Sequence, residues 1–70
     1  QFLARIDAIE RRADLVNLSL WRLCKRARVE YSRIQRWKHG ENSPNVATLE
    51  RHLGALESEL DTVEDEFDGT

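Results

Sequence analysis

Apolar residues recur at helical spacing along most of this chain. Phe2, Ile6, Ile9 and Ala13 follow one another at steps of 4, 3 and 4, which puts them on one face of a helix whose other face is charged. The stretch "LVNLS" breaks that pattern. Ser19 then stands where a hydroxyl can accept from an orphan backbone N–H one turn on. Leu20, Leu23, Cys24 and Ala27 form the inner stripe of a second helix over 20–27, and Val29 falls in a short turn. A third helix follows over 31–38, with Ile34 and Trp37 facing inward. Gly40 suits its end, because glycine enters the left-handed conformation without penalty. "ENSPN" reads as a loop, with Pro44 favouring extended backbone and Asn45 placed to cap the next helix. From there Val46, Leu49, Leu53, Leu56, Leu60, Val63 and Phe67 step by 3 and 4 in strict alternation, an unbroken heptad seam. No strand-like alternation and no internal repeat interrupts this. The pattern predicts an all-α fold, a compact bundle of four to five helices.

Seventy residues make one small domain, which buries only about 60% of the surface its unfolded chain exposes. Such chains lean on disulfides, metals, self-association or good helix packing. Cys24 is the only cysteine, so no intrachain disulfide can form. Cys24, His39 and His52 are not spaced as a zinc finger is. No cofactor is expected, and helix packing with self-association remains. The lone cysteine suits a reducing compartment, and neither a membrane-spanning run nor a signal-peptide pattern is present. A bacterial cytoplasm or nucleoid, or a phage-infected host cell, is the expected setting. The expected organisation is a helical domain over 1–57 followed by an acidic C-terminal helical extension or tail over 58–70.

Charge sharpens the picture. The net charge is −2, but the signs are segregated. Residues 1–18 balance Arg5, Arg11 and Arg12 against Asp7, Glu10 and Asp14. Residues 19–40 carry Arg22, Lys25, Arg26, Arg28, Arg33, Arg36 and Lys38 against Glu30 alone. Residues 41–70 carry Arg51 against Glu41, Glu50, Glu57, Glu59, Asp61, Glu64, Asp65, Glu66 and Asp68. A basic middle and an acidic end point to an acidic partner for the first, and to solvent or a second partner for the other.

Two short helices joined by a tight turn, the second rich in arginine, suggest a DNA-binding helix-turn-helix. Such a unit needs apolar residues where its helices cross. If Leu20 opens it, those positions are Leu23, Cys24, Ala27, Val29, Ile34 and Trp37, and all six are apolar. With 40% of the chain apolar, chance would give this on the order of half a percent of the time for a fixed frame. The segment "LSLWRLCKRARVEYSRIQRWKHGENSPNVATLERHLGAL" resembles the phage-repressor, Cro-like (XRE-type) helix-turn-helix family over about residues 2–57. Ser19 matches the family's helix-opening serine, Leu23-Cys24 its Leu-Ala pair, "SRIQRW" its recognition-helix core, and Gly40 with Pro44 its exit loop. The resemblance implies a lambda-repressor-like bundle that binds duplex DNA as a dimer on a palindromic operator. Two positions depart from the family pattern. Arg28 stands where a turn glycine is usual, and Glu30 where Ser or Thr usually caps the recognition helix.

The geometry of such a unit assigns roles. The recognition helix enters the major groove by its N-terminal part, so Tyr31, Ser32, Arg33, Gln35 and Arg36 are the expected base-contacting residues. Arginine grips guanine O6 and N7, and glutamine grips adenine N6 and N7. Ser19, Arg22, Lys25, Lys38, His39, Asn42 and Ser43 are the expected phosphate contacts, which position the protein and make binding salt-sensitive. Leu56, Leu60, Val63 and Phe67 are the expected dimer contacts. Glutamates flanking that seam would repel in a parallel coiled coil, which favours a compact or antiparallel contact, with closure of the chain's own core as the simpler use. The competing class is a protein-interaction module, of antitoxin or adaptor type, that docks a second protein through its acidic C-terminus. The carboxylates are strung along one segment without a pocket, and Cys24 has no base at helical spacing, so no catalytic residue and no enzyme activity is expected.

Overall fold

The computed structural model describes residues 2–40 and 45–68, and the side chains of 3–40 and 45–67. It contains four helices: α1 (Phe2–Leu15), α2 (Leu20–Ala27), α3 (Tyr31–Lys38) and α4 (Val46–Asp68). All regular structure among the described residues is helical, and the fold is an all-α bundle.

Local chemistry sets each boundary. The α1 helix stops because Asn17 turns left-handed at φ 57°. The Leu18 N–H then donates to the Ala13 carbonyl at 2.9 Å, and the Asn17 N–H to that of Asp14 at 3.0 Å, a double closure of the last turn. Ser19 opens α2, its Oγ accepting from the Arg22 N–H at 3.1 Å. The α2 helix ends as α1 does. Arg28 adopts φ 60° and ψ 41°, the Val29 N–H donates to the Cys24 carbonyl at 2.8 Å, and the Arg28 N–H to that of Lys25 at 3.3 Å. The turn geometry that usually recruits glycine is therefore kept with a side chain present. Gly40, at φ 78°, follows α3. Asn45 caps α4, its Oδ1 accepting from the Ala47 N–H at 2.8 Å.

The core draws on every element. Ile6, Ile9 and Ala13 from α1 meet Leu20, Leu23 and Cys24 from α2. Val29 from the turn, Ile34 and Trp37 from α3, and Leu49, Leu53, Leu56 and Leu60 from α4 complete it. Cys24 is fully buried, and burial pushes its thiol up to about 11. Fully burying a leucine stabilises by about 1.5–3 kcal/mol.

One expectation changes here. The α4 helix runs unbroken from Val46 to Asp68, so the segment after residue 57 continues the last core helix as far as Asp68. Leu56 and Leu60 are each 0% exposed within this single chain, so these two side chains are spent on its own core and are not open to a second copy. The reason lies in α1. The α1 and α4 helices run parallel, because Arg5 reaches Glu50 and Glu57 while Arg12, two turns on, reaches Asp61 and Glu64. The heptad seam of α4 thus finds its partner stripe inside the chain. A 23-residue helix is about 34 Å long, and it spans most of the molecule's 40 Å long axis.

Candidate nucleic-acid interface

Pairing divides the positive charges into two sets. The first is neutralised internally. The Arg5 guanidinium donates to Glu57 at 2.7 Å and to Glu50 at 2.8 Å. Arg12 holds Glu64 at 2.7 Å and Asp61 at 2.8 Å, and this contact draws the Glu64 carboxyl below its usual range. Arg26 reaches Glu59 at 2.9 Å and Glu66 at 3.6 Å, so it faces α4. Arg11 pairs with Asp7 on its own helix. The acidity of residues 50–66 is largely spent on these arginines. Several of these carboxylates stay open to solvent while paired, Asp61 at 75% and Glu66 at 66% exposure.

The second set lies on α2, the turn and α3. Arg22, Arg28 and Arg36 are exposed and form no ion pair with any described carboxylate. Lys25 is exposed, with its Nζ lying 4.5 Å from the centre of the Trp21 ring, a cation–π contact. Arg33 is exposed and has only Glu30, 3.6 Å away on the preceding turn. Arg51, on α4, is also exposed and unpaired by the same measure.

Along α3, Ile34 and Trp37 point inward while Ser32, Arg33 and Arg36 point outward. Tyr31 and Gln35 are half-buried, Tyr31 packing against the core. The five expected base-contacting residues therefore share one short helix, three of them fully on its open face. The expected phosphate contacts divide. Arg22 and Lys25 lie open on α2. Ser19 is exposed, but its hydroxyl already caps α2. His39 is exposed at the end of α3. Lys38 is bound to Glu10 of α1 at 2.8 Å, a contact that raises its pKa. A helical spacing rule could not foresee that pair, which joins residues 28 apart. Asn42 and Ser43 lie outside the described residues. Of the remaining expected dimer contacts, Val63 is half-buried and Phe67 half-exposed.

Two residues gain weight from the structure. Arg28 reads in the sequence as a steric cost in the turn, yet its guanidinium joins the open cations between α2 and α3. His52 reads as a surface residue, yet its ring stacks on Trp37 with centroids 5.7 Å apart and planes 27° from parallel. It supports α3 from behind. Burial, then the nearby charges of Arg33 and Arg51, lower its pKa. Nothing in the sequence marks that contact beyond the position of His52 one residue before Leu53 on the seam.

Arg22, Lys25, Arg28, Arg33 and Arg36 stand exposed on α2, the turn and α3, and Leu18, Trp21, Arg22, Lys25 and Arg26 line an open cavity beside α2. Comparison with family models, with curated proteins and with solved structures finds no match to this chain.

Proposed function

We propose that this chain is a sequence-specific DNA-binding transcriptional regulator, a repressor of the Cro-like helix-turn-helix type, that inserts α3 into the major groove. The observation that carries the reading is the sorting of charge. Arg5, Arg12, Arg26 and Lys38 have carboxylate partners on other helices, whereas Arg22, Lys25, Arg28 and Arg36 have none among the described residues and lie on α2, the turn and α3. A patch of unneutralised cations around a short helix with outward Ser, Arg and Gln side chains fits phosphates flanking a groove and base edges within it. The net negative charge does not oppose this, because the described acids other than Glu30 lie on α1 and α4.

In this reading Tyr31, Ser32, Arg33, Gln35 and Arg36 face base edges, and Arg22, Lys25 and His39 face the backbone. The reading assigns no reaction, and it places the protein wherever the cell's DNA is, the cytoplasm of a bacterium or an infected host. As a homodimer on a palindromic operator, two copies would lie on half-sites about 34 Å apart, in contact through surfaces other than Leu56 and Leu60. The alternative, docking of another protein on an acidic C-terminal segment, is weakened because Glu50, Glu57, Glu59, Asp61, Glu64 and Glu66 already have arginine partners.

Selection of bound sites from a random duplex pool tests the reading. The expected result is an enriched motif whose affinity falls steeply with salt. An Arg33→Ala/Arg36→Ala variant should lose the motif while keeping its helical spectrum. Absence of any duplex binding at low salt would sink the proposal.

A further inference from the structure

Glu30 is the only acid in residues 19–40, and it stands at the N-cap of α3. Caps at this position normally accept from backbone N–H groups one turn on. Glu30 does not. Its backbone is extended, at φ −71° and ψ 114°, and its side chain makes no capping hydrogen bond. The backbone carbonyl alone receives the Arg33 and Ile34 N–H groups, at 3.2 and 3.4 Å. The carboxylate is left 60% exposed, with Arg33 Nη2 at 3.6 Å as its one ion-pair partner among the described residues. An acid at the leading end of a duplex-binding helix weakens phosphate contact, so its presence there calls for a different use.

The chemistry of base edges supplies one. An ionised carboxylate only accepts hydrogen bonds. In the major groove guanine and thymine offer it acceptors, and adenine offers an amine beside an acceptor nitrogen. Cytosine offers the N4 amine alone. The adjacent Arg33 has the opposite character and suits guanine O6 and N7. Glu30 and Arg33 together present an acceptor beside a donor fork, which complements a C·G pair or neighbouring C and G positions.

We propose that Glu30 is a specificity-determining residue, which requires a cytosine at the edge of the site read by α3. This rests on the duplex-binding reading above. Selection from a random duplex pool is run with the wild-type protein, Glu30→Gln and Glu30→Ala, each with its helical spectrum recorded. Removing a side chain that caps nothing leaves the α3 backbone bonds in place, and Gln keeps its shape.

The wild-type motif should contain a cytosine whose replacement by thymine costs at least about fivefold in affinity. Glu30→Ala should lose that discrimination, and Glu30→Gln should move the preference toward adenine, which glutamine grips at N6 and N7. If both variants keep the wild-type base preferences and merely bind every duplex more tightly, the carboxylate is only a repulsive surface charge and the inference fails while the DNA reading stands. A wild-type motif with no required cytosine overturns it equally. If the wild-type protein enriches no duplex, the DNA reading fails and this inference falls with it.

Discussion

At the scale of single residues, three side chains have consequences that can be measured. His52 stacked on Trp37 has a pKa held below its ordinary 6.5. As pH falls, the unfolded chain takes up this proton before the folded one does. Stability is therefore full above about pH 6.5 and declines as pH drops from there toward the folded-state value. Urea midpoints should fall between about pH 7.5 and about pH 5.5, and His52→Gln should flatten that slope. A further decline below pH 4.5 belongs to carboxylates such as Glu64, which Arg12 keeps ionised. Cys24 is fully buried with its thiol pushed up to about 11, so a thiol reagent near neutral pH should label the native protein far more slowly than the urea-unfolded chain. Arg28 holds a left-handed conformation that costs a side-chain-bearing residue about 1–2 kcal/mol. Arg28→Gly should raise stability by about 0.5–1 kcal/mol after the entropy cost of glycine is subtracted, read from urea unfolding.

At the scale of elements, α4 decides the architecture. Its C-terminal half adds Leu60 to the core, and Leu60→Ala should cost about 2–5 kcal/mol. That loss should be the same size in dilute and concentrated protein, because the cavity opens within one chain. Truncation after Leu56 would consequently unfold the bundle rather than trim a tail. Gly54 lies inside α4, and a Cβ there would meet nothing within 4 Å beyond its own helix. Gly54→Ala should stabilise by about 0.5–1 kcal/mol, which thermal unfolding would detect. The Arg5 and Arg12 clamps set the parallel register of α1 on α4. Both are partly exposed, so salt weakens them.

At the scale of the whole molecule, the distribution of charge matters more than its sum. The molecule carries a net charge of −2, yet among the described residues the cations without a carboxylate partner, Arg51 of α4 excepted, lie on α2, the turn and α3. It should be retained on a heparin matrix near neutral pH and elute with salt, and the Arg33→Ala/Arg36→Ala variant should elute earlier. Elution of the wild-type protein in the void volume would show that the open cations form no coherent field.

The sequence by itself determined an all-α bundle of four to five helices, three of the caps and most of the core. These follow from apolar spacing and from Ser19, Gly40 and Asn45, all local signals that act within one or two turns. It also placed Tyr31, Ser32, Arg33, Gln35 and Arg36 away from the Ile34 and Trp37 stripe of α3, while the structure half-buries Tyr31 and Gln35 and leaves Ser32, Arg33 and Arg36 open. Only the tertiary structure decided which charges remain available. Arg26 and Lys38 look like Arg22 and Arg36 in the sequence, but their partners, Glu59 and Glu10, are 33 and 28 residues away. The same holds for the heptad of α4. Its apolar period announces partner helices without saying whose, and they proved to be α1 and α2 of the same chain, whose buried stripes meet it in one core. Ion pairs and helix partners depend on how elements meet in space, and no local period records that.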